Sequence, residues 1–223
     1  MAIIENGSAS VEREPVRADR SLYLKNRLTA KLEAGNLLAH IRLATIGLES
    51  YSNTHPFSKR DESGRVWTLI HNGTIFESEL LSGYQYKQEG NTDSERILLY
   101  IVDQVNRHFL EDFSLFEVNA RIALLEDIVK RLSPENKLNL IFSDGEYMYV
   151  HKNAADTLFV KHTQNAAIFS TKPLDTGKWE EVPENRLLVY RQGQLLHTGR
   201  RHPYAYVEDP EKVKLLFMNY AGL

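Results

Sequence analysis

Apolar and polar positions along this chain follow two periods. Ile97, Ile101, Val105 and Phe109 lie four apart, and Val118, Ile122, Leu125, Val129 and Leu132 recur every three or four residues. These spacings predict two amphipathic helices, the first opening at Thr92 and the second closed by Pro134. A weaker helical pattern, Leu22, Leu24, Leu28 and Leu32, runs over Ser21–Ala34 and is expected to stop at Gly35. Elsewhere the period is two. Leu37, Ala39 and Ile41 alternate with Leu38, His40 and Arg42, predicting a strand over Asn36–Arg42 with His40 and Arg42 on one face. Val66–His71 is a second strand, and Ser8–Val16 reads as an edge strand ended by Pro15. Lys137–Phe142 and Glu146–Lys152 flank an Asp-Gly turn, and Arg186–Arg191 and Gln194–Thr198 flank Gln192-Gly193; both predict hairpins. Thr157–Lys161 and Ala166–Ser170 are shorter strands. Thr45–Arg65, polar and rich in Gly, Ser and Asn, reads as a long functional loop, and Glu211–Tyr220 as a short helix. Strands, two helices and a run of antiparallel strands predict an α+β fold of helices layered on antiparallel sheets.

Composition narrows the picture. At 223 residues the chain is expected to form one domain, residues 1–223. It shows no repeat, low-complexity tract or long linker. A net charge of −3 argues against nucleic acid as a partner. The longest apolar run, Ile97–Val102, is far below the roughly 20 residues that span a bilayer, so no membrane partner is expected. Met1–Ser8 has no basic stretch leading into an apolar one, and a cytoplasmic location is expected. GxGxxG, P-loop and GxSxG motifs are missing, and no cofactor is expected. There is no cysteine, which excludes disulfides, thiolate metal sites and any thiol nucleophile within these residues.

Several polar groups remain as candidate chemistry. His40, His55 and His71 could in principle converge on a metal, but no pair has the tight spacing of a metal motif. They are read as histidines supporting a site, with no metal. Asn72-Gly73 could be a hairpin turn, yet Thr74–Leu81 does not alternate like a return strand and resembles a short helical turn. The chemical alternative is a strand end offering the Asn72 amide and the Gly73 N–H as an oxyanion hole, worth roughly 3–4 kcal/mol per donor in acyl transfer. Thr92-Asp93-Ser94-Glu95 is a capping box that leaves Asp93 in the first helical turn, where the helix dipole stabilises its charge. Asp93 could hold an ammonium. Arg42, before the polar stretch, suits bidentate capture of a carboxylate. An ammonium site, a carboxylate site and an oxyanion hole together describe a site for an amino-acid amide.

These residues resemble the glutamine-binding half of a class II glutamine amidotransferase of the N-terminal-nucleophile type. The matching pieces are His40-Ile41-Arg42-Leu43-Ala44-Thr45-Ile46-Gly47, Asn53-Thr54-His55-Pro56-Phe57, His71-Asn72-Gly73 and Thr92-Asp93-Ser94-Glu95. Phe169–Leu174, Trp179 and Val182-Pro183 resemble small stand-alone members. The resemblance implies a four-layer αββα sandwich of two antiparallel sheets and hydrolysis of the glutamine amide through a thioester. It implies Arg42 on the substrate α-carboxylate with Thr45 supporting it, Asp93 on the α-ammonium, and Asn72 and Gly73 on the oxyanion. Leu43 departs from an aromatic residue of some branches, and Ile46 from a common histidine.

The family nucleophile is a cysteine exposed as the first residue, whereas this chain begins Met1-Ala2. Ile3–Val16 resembles family sequence that follows the cysteine-bearing strand, so the chain is expected to lack that first strand. Two readings follow. In one, the chain is an amidotransferase domain that lacks its N-terminal strand and nucleophile through a misplaced start codon, a truncation or a split gene with a separate cysteine-bearing fragment, and is inactive alone. In the other, it is a non-catalytic module that binds glutamine or a related amino-acid amide for sensing or assembly. An unpaired sheet edge would favour a homo-oligomer in either case. A metal-dependent hydrolase on the three histidines is a third reading and the weakest.

Overall fold

A computed structural model describes residues 1–41, 50–76, 78–111, 117–212 and 214. Among these residues, twelve strands and three α-helices follow in the order β1 (Ala2–Glu5), β2 (Ser8–Val11), α1 (Leu22–Thr29), β3 (Asn36–Leu38), β4 (Phe57–Arg60), β5 (Val66–His71), α2 (Asp93–Glu111), α3 (Val118–Leu132), β6 (Leu140–Ser143), β7 (Met148–Lys152), β8 (Phe159–His162), β9 (Ala167–Ser170), β10 (Glu180–Glu181), β11 (Arg186–Arg191) and β12 (Gln194–Thr198). Every pairing is antiparallel. A six-stranded sheet runs β12-β11-β7-β6-β5-β4, and two three-stranded sheets run β2-β1-β3 and β10-β8-β9.

The central strands read as unbroken apolar runs because the six-stranded sheet is covered on both faces. Along β11, Leu187 and Val189 enter one core cluster and Leu188 and Tyr190 the other. The same alternation sends Tyr149 to the first and Met148 and Val150 to the second. The first cluster holds the apolar faces of α2 and α3, including Ile97, Ile101, Leu125 and Val129. The second holds Ala2, Ile4, Leu38 and Val160 from the two small sheets, and Leu158 just before β8. The layers are therefore helices, large sheet, small sheets. α1 has no buried residue. No described helix is long and apolar enough to cross a membrane.

Several sequence expectations change. Thr45–Arg65 is not a continuous loop, because a 3₁₀ turn at Tyr51–Asn53 and strand β4 fall within it. β4 escaped notice because only Phe57 of its four residues is buried. The strand expected over Asn36–Arg42 ends at Leu38, and α1 ends at Thr29, well before Gly35. β1, which lies between β2 and β3, has no periodicity long enough to reveal it. Its turn into β2 is Asn6-Gly7, with φ of 50° and 77°, a hairpin signal present in the sequence. The helical turn after Asn72-Gly73 is a 3₁₀ segment at Glu79–Tyr86.

Candidate functional site

The site is built where β5 ends. His71 pairs with Leu140 of β6, and one step further the Asn72 N–H donates to the Asn139 carbonyl at 2.9 Å. The Thr74 N–H then donates to the Lys137 carbonyl, also at 2.9 Å. Asn72-Gly73 is thus a continuation of the strand along its neighbour and not a reversing turn. Glycine is required at 73 by proximity, since a Cβ there would stand 2.0 Å from the Lys137 oxygen and 2.5 Å from His71 Nε2. The Asn72 side chain is exposed, and among the described residues nothing accepts from its amide or from the Gly73 N–H. Two donors at a strand end are left uncommitted.

Asp93 opens α2 beside them. Its Oδ2 accepts from the Ile75 N–H at 2.8 Å and its Oδ1 from the Ser94 N–H at 2.8 Å, which ties the helix start to the segment after Gly73. The expected capping box is half formed. Thr92 Oγ1 accepts from the Glu95 N–H at 3.3 Å, but the Glu95 carboxylate reaches outward to the Glu89 and Gly90 N–H groups at 2.7 and 2.9 Å. With Asn53 Oδ1 accepting from the Asn91 N–H at 2.8 Å, these bonds fix the approach to Asp93.

His71 completes the wall. Its Nε2 lies 3.2 Å from the Lys137 carbonyl, which can only accept, so Nε2 carries the proton and Nδ1 accepts from Ser94 Oγ at 3.1 Å. Burial holds its pKa below the usual imidazole value, against the pull of Asp93, whose Oδ2 is 4.0 Å from Nδ1. A neutral His71 cannot neutralise Asp93. Asp93 is buried, yet among the described residues it forms no ion pair with a lysine or arginine. Buried carboxylates ordinarily have a cation or a full set of donors; this one accepts from two backbone N–H groups, has Ser94 Oγ 3.3 Å from Oδ1, and retains an open acceptor position. The arrangement is receptive to an ammonium.

Asn139 is a feature that sequence reasoning missed. It is buried between β5 and β7, and among the described residues neither its Nδ2 nor its Oδ1 has a hydrogen-bond partner. Leaving such a group unsatisfied costs about 1–3 kcal/mol. Ser94, Ile75 and Lys137 were also missed, because two of them act through backbone atoms and only the register places them.

His40 and His55 come together, with ring centroids 4.1 Å apart, and His55 meets Phe57 edge-on at 4.7 Å. His71 instead joins Ser94 and Asp93. Among the described residues no group of three or more histidines or carboxylates is placed to hold a metal ion. Arg42 and Thr45 lie outside the described residues.

The model of the class II glutamine amidotransferases matches residues 3–163, more than two thirds of the chain. The chain belongs to the class II glutamine amidotransferases. An uncharacterized protein of Methanocaldococcus jannaschii is 26% identical over 230 residues, covering 90% of this chain and 62% of that protein. A Haemophilus influenzae protein, named provisionally as a glutamine amidotransferase, is 32% identical over 116 residues, covering 52% of this chain and 38% of that one. The chain therefore spans less than two thirds of either relative's length. A solved class II domain protein from Silicibacter pomeroyi superposes with a TM-score of 0.61 at 20% identity, covering 92% of this amidotransferase chain and 91% of that one, which shows a shared sandwich fold.

Proposed function

We propose that this chain binds L-glutamine, or a closely related amino-acid amide, and holds its carboxamide against the Asn72 amide and the Gly73 N–H. The observation that carries this reading is the buried Asp93 carboxylate, which among the described residues has no lysine or arginine partner and stands next to two uncommitted donors. In this reading Asp93 takes the α-ammonium, and Arg42 with Thr45 takes the α-carboxylate, as the family resemblance implies. The carboxamide oxygen then lies toward Asn72 Nδ2 and the Gly73 N–H. As an attacking group adds to the amide carbon, charge gathers on that oxygen, and donors placed in advance stabilise it more than the neutral substrate. Neutral His71 holds its place through Lys137 and Ser94 and does not compete for the anion.

The family reaction requires a thiol, and none of the 223 residues is a cysteine. These residues therefore supply binding and oxyanion stabilisation, and hydrolysis requires a nucleophile from outside them. The absence of cysteine equally favours the second reading, a module that binds glutamine without consuming it. Calorimetric titration with L-glutamine, run beside an ammonia-release assay, tests both. Binding without ammonia release is expected. No binding at millimolar glutamine would refute the proposal, and ammonia release would refute the claim that the chain needs an outside nucleophile.

A further inference from the structure

The end of the six-stranded sheet that carries Asn72 carries a second group of charges. His71, Leu140, His151 and Leu187 stand side by side across β5, β6, β7 and β11. One residue further toward the same end, the row is Asn72, Asn139, Lys152 and Arg186, with Lys152 paired to Arg186. Alternation directs Lys152 and Arg186 to the face of Val150 and Leu188, the one covered by the small sheets. Three strand spacings separate Asn72 from Arg186, about 14 Å, so the two ends of the row are distinct places.

At the Arg186 end a pocket of about 280 Å³ is lined by Glu181, Val182, Pro183, Glu184, Arg186 and Arg201. Lys152 lies behind it with its side chain fully buried, bonded to Glu181 and 3.8 Å from Glu184. Glu181 also accepts the Asp156 N–H at 2.8 Å, and Lys152 holds its carboxyl below the usual range. Its charge is thereby taken up. Arg186 and Arg201 form no ion pair among the described residues, and Arg186 Nε is buried with no hydrogen-bond partner. Three cations face two carboxylates, an excess of one positive charge. A buried guanidinium N–H without an acceptor is costly, and the planar fork matches the two oxygens of an oxyanion.

We propose that this pocket binds a small oxyanion, a carboxylate or phosphate group, on Arg186 and Arg201. Glu184, only distantly engaged by Lys152, accepts a hydroxyl or ammonium of the same ligand, and Val182 and Pro183 form its apolar wall. The site stands whether or not glutamine binds at Asp93.

Thermal melting and calorimetry of the full chain test it, with inorganic phosphate in one arm, acetate in another, and sodium chloride at matched ionic strength as control. Phosphate or acetate should raise the melting temperature saturably where chloride does not. Arg201→Ala removes an exposed side chain, and Arg186→Lys keeps the charge but loses the fork. Each should weaken anion binding at least tenfold, with little change in melting without ligand. A response to phosphate alone, or to acetate alone, supports the site and identifies the group it takes. No anion-specific response at tens of millimolar, or one unchanged in both variants, overturns it. An L-glutamine response that persists in Arg201→Ala separates this site from the one at Asp93.

Discussion

Lowering the pH from about 7.5 to about 5 should destabilise this protein through one buried pair of histidines. His151 Nδ1 lies 2.7 Å from the Leu138 carbonyl and must donate to it, which leaves Nε2 as an acceptor. His202 Nδ1 accepts from the Tyr204 N–H at 3.3 Å, so its Nε2 carries the proton and donates to His151 Nε2 at 3.0 Å. Both rings are neutral with fixed tautomers, and a proton on His151 would turn its accepting nitrogen into a second donor. Burial lowers His151 from 6.5 to about 3 and His202 to about 4. Because the folded values lie below the unfolded one, the unfolded chain binds more protons on acidification. Stability is full above pH ~6.5 and falls as pH drops toward the folded values. Near pH 5 an unfolded histidine is almost fully protonated and a folded one hardly at all, a cost of about 2 kcal/mol for His151. His202 adds up to a similar amount, less what the two share through one hydrogen bond. Urea unfolding at several pH values reads this directly. Imidazole titration by NMR gives an independent check that needs no variant. A midpoint constant between about pH 7.5 and 5, or either ring titrating near its ordinary value, would refute the reasoning.

Other expectations follow from the same geometry. Gly73→Ala forces a Cβ against the Lys137 carbonyl and should cost at least 1–3 kcal/mol, roughly, in urea unfolding, with loss of any glutamine response. Asn139→Leu replaces a buried amide that has no partner, so the melting temperature should hold or rise while glutamine binding weakens; a clear loss of stability would show that the amide is satisfied. Arg121 and Asp144 form a buried pair at 2.8 Å, with Asp144 also accepting from Tyr149 Oη at 2.9 Å and capping its own turn. Arg121→Leu should therefore cost about 3–5 kcal/mol in urea unfolding, and a change under 1 kcal/mol, roughly, would contradict that account.

What could be read from the sequence was what local pattern determines. α3, β5 and β11 match their sequence bounds because each faces a continuous core, whereas β12, largely exposed, matches because the Gln192-Gly193 turn with positive φ at both residues fixes where it starts. α1 was overextended because its leucines imitate a buried stripe that does not exist, Leu22 and Leu28 being 75% and 77% exposed. The Asn-Gly rule succeeds at Asn6-Gly7, where φ is positive, whereas Gly73 exists to let a neighbouring carbonyl approach. Asn72, Gly73 and Asp93 were legible as ordered motifs. The positions of Asn139 and Arg186 were not, because strand register alone places them on one row with Asn72.

The central claim is that Asp93 is a buried anionic seat for the ammonium of glutamine. Calorimetric titration of L-glutamine into the wild-type chain and into Asp93→Asn, with melting curves to verify that both are folded, tests it most directly. The expected result is saturable binding to wild type, at least tenfold weaker in the folded variant. Equal affinity in the two, or no binding to a folded wild-type chain at millimolar glutamine, would contradict the account.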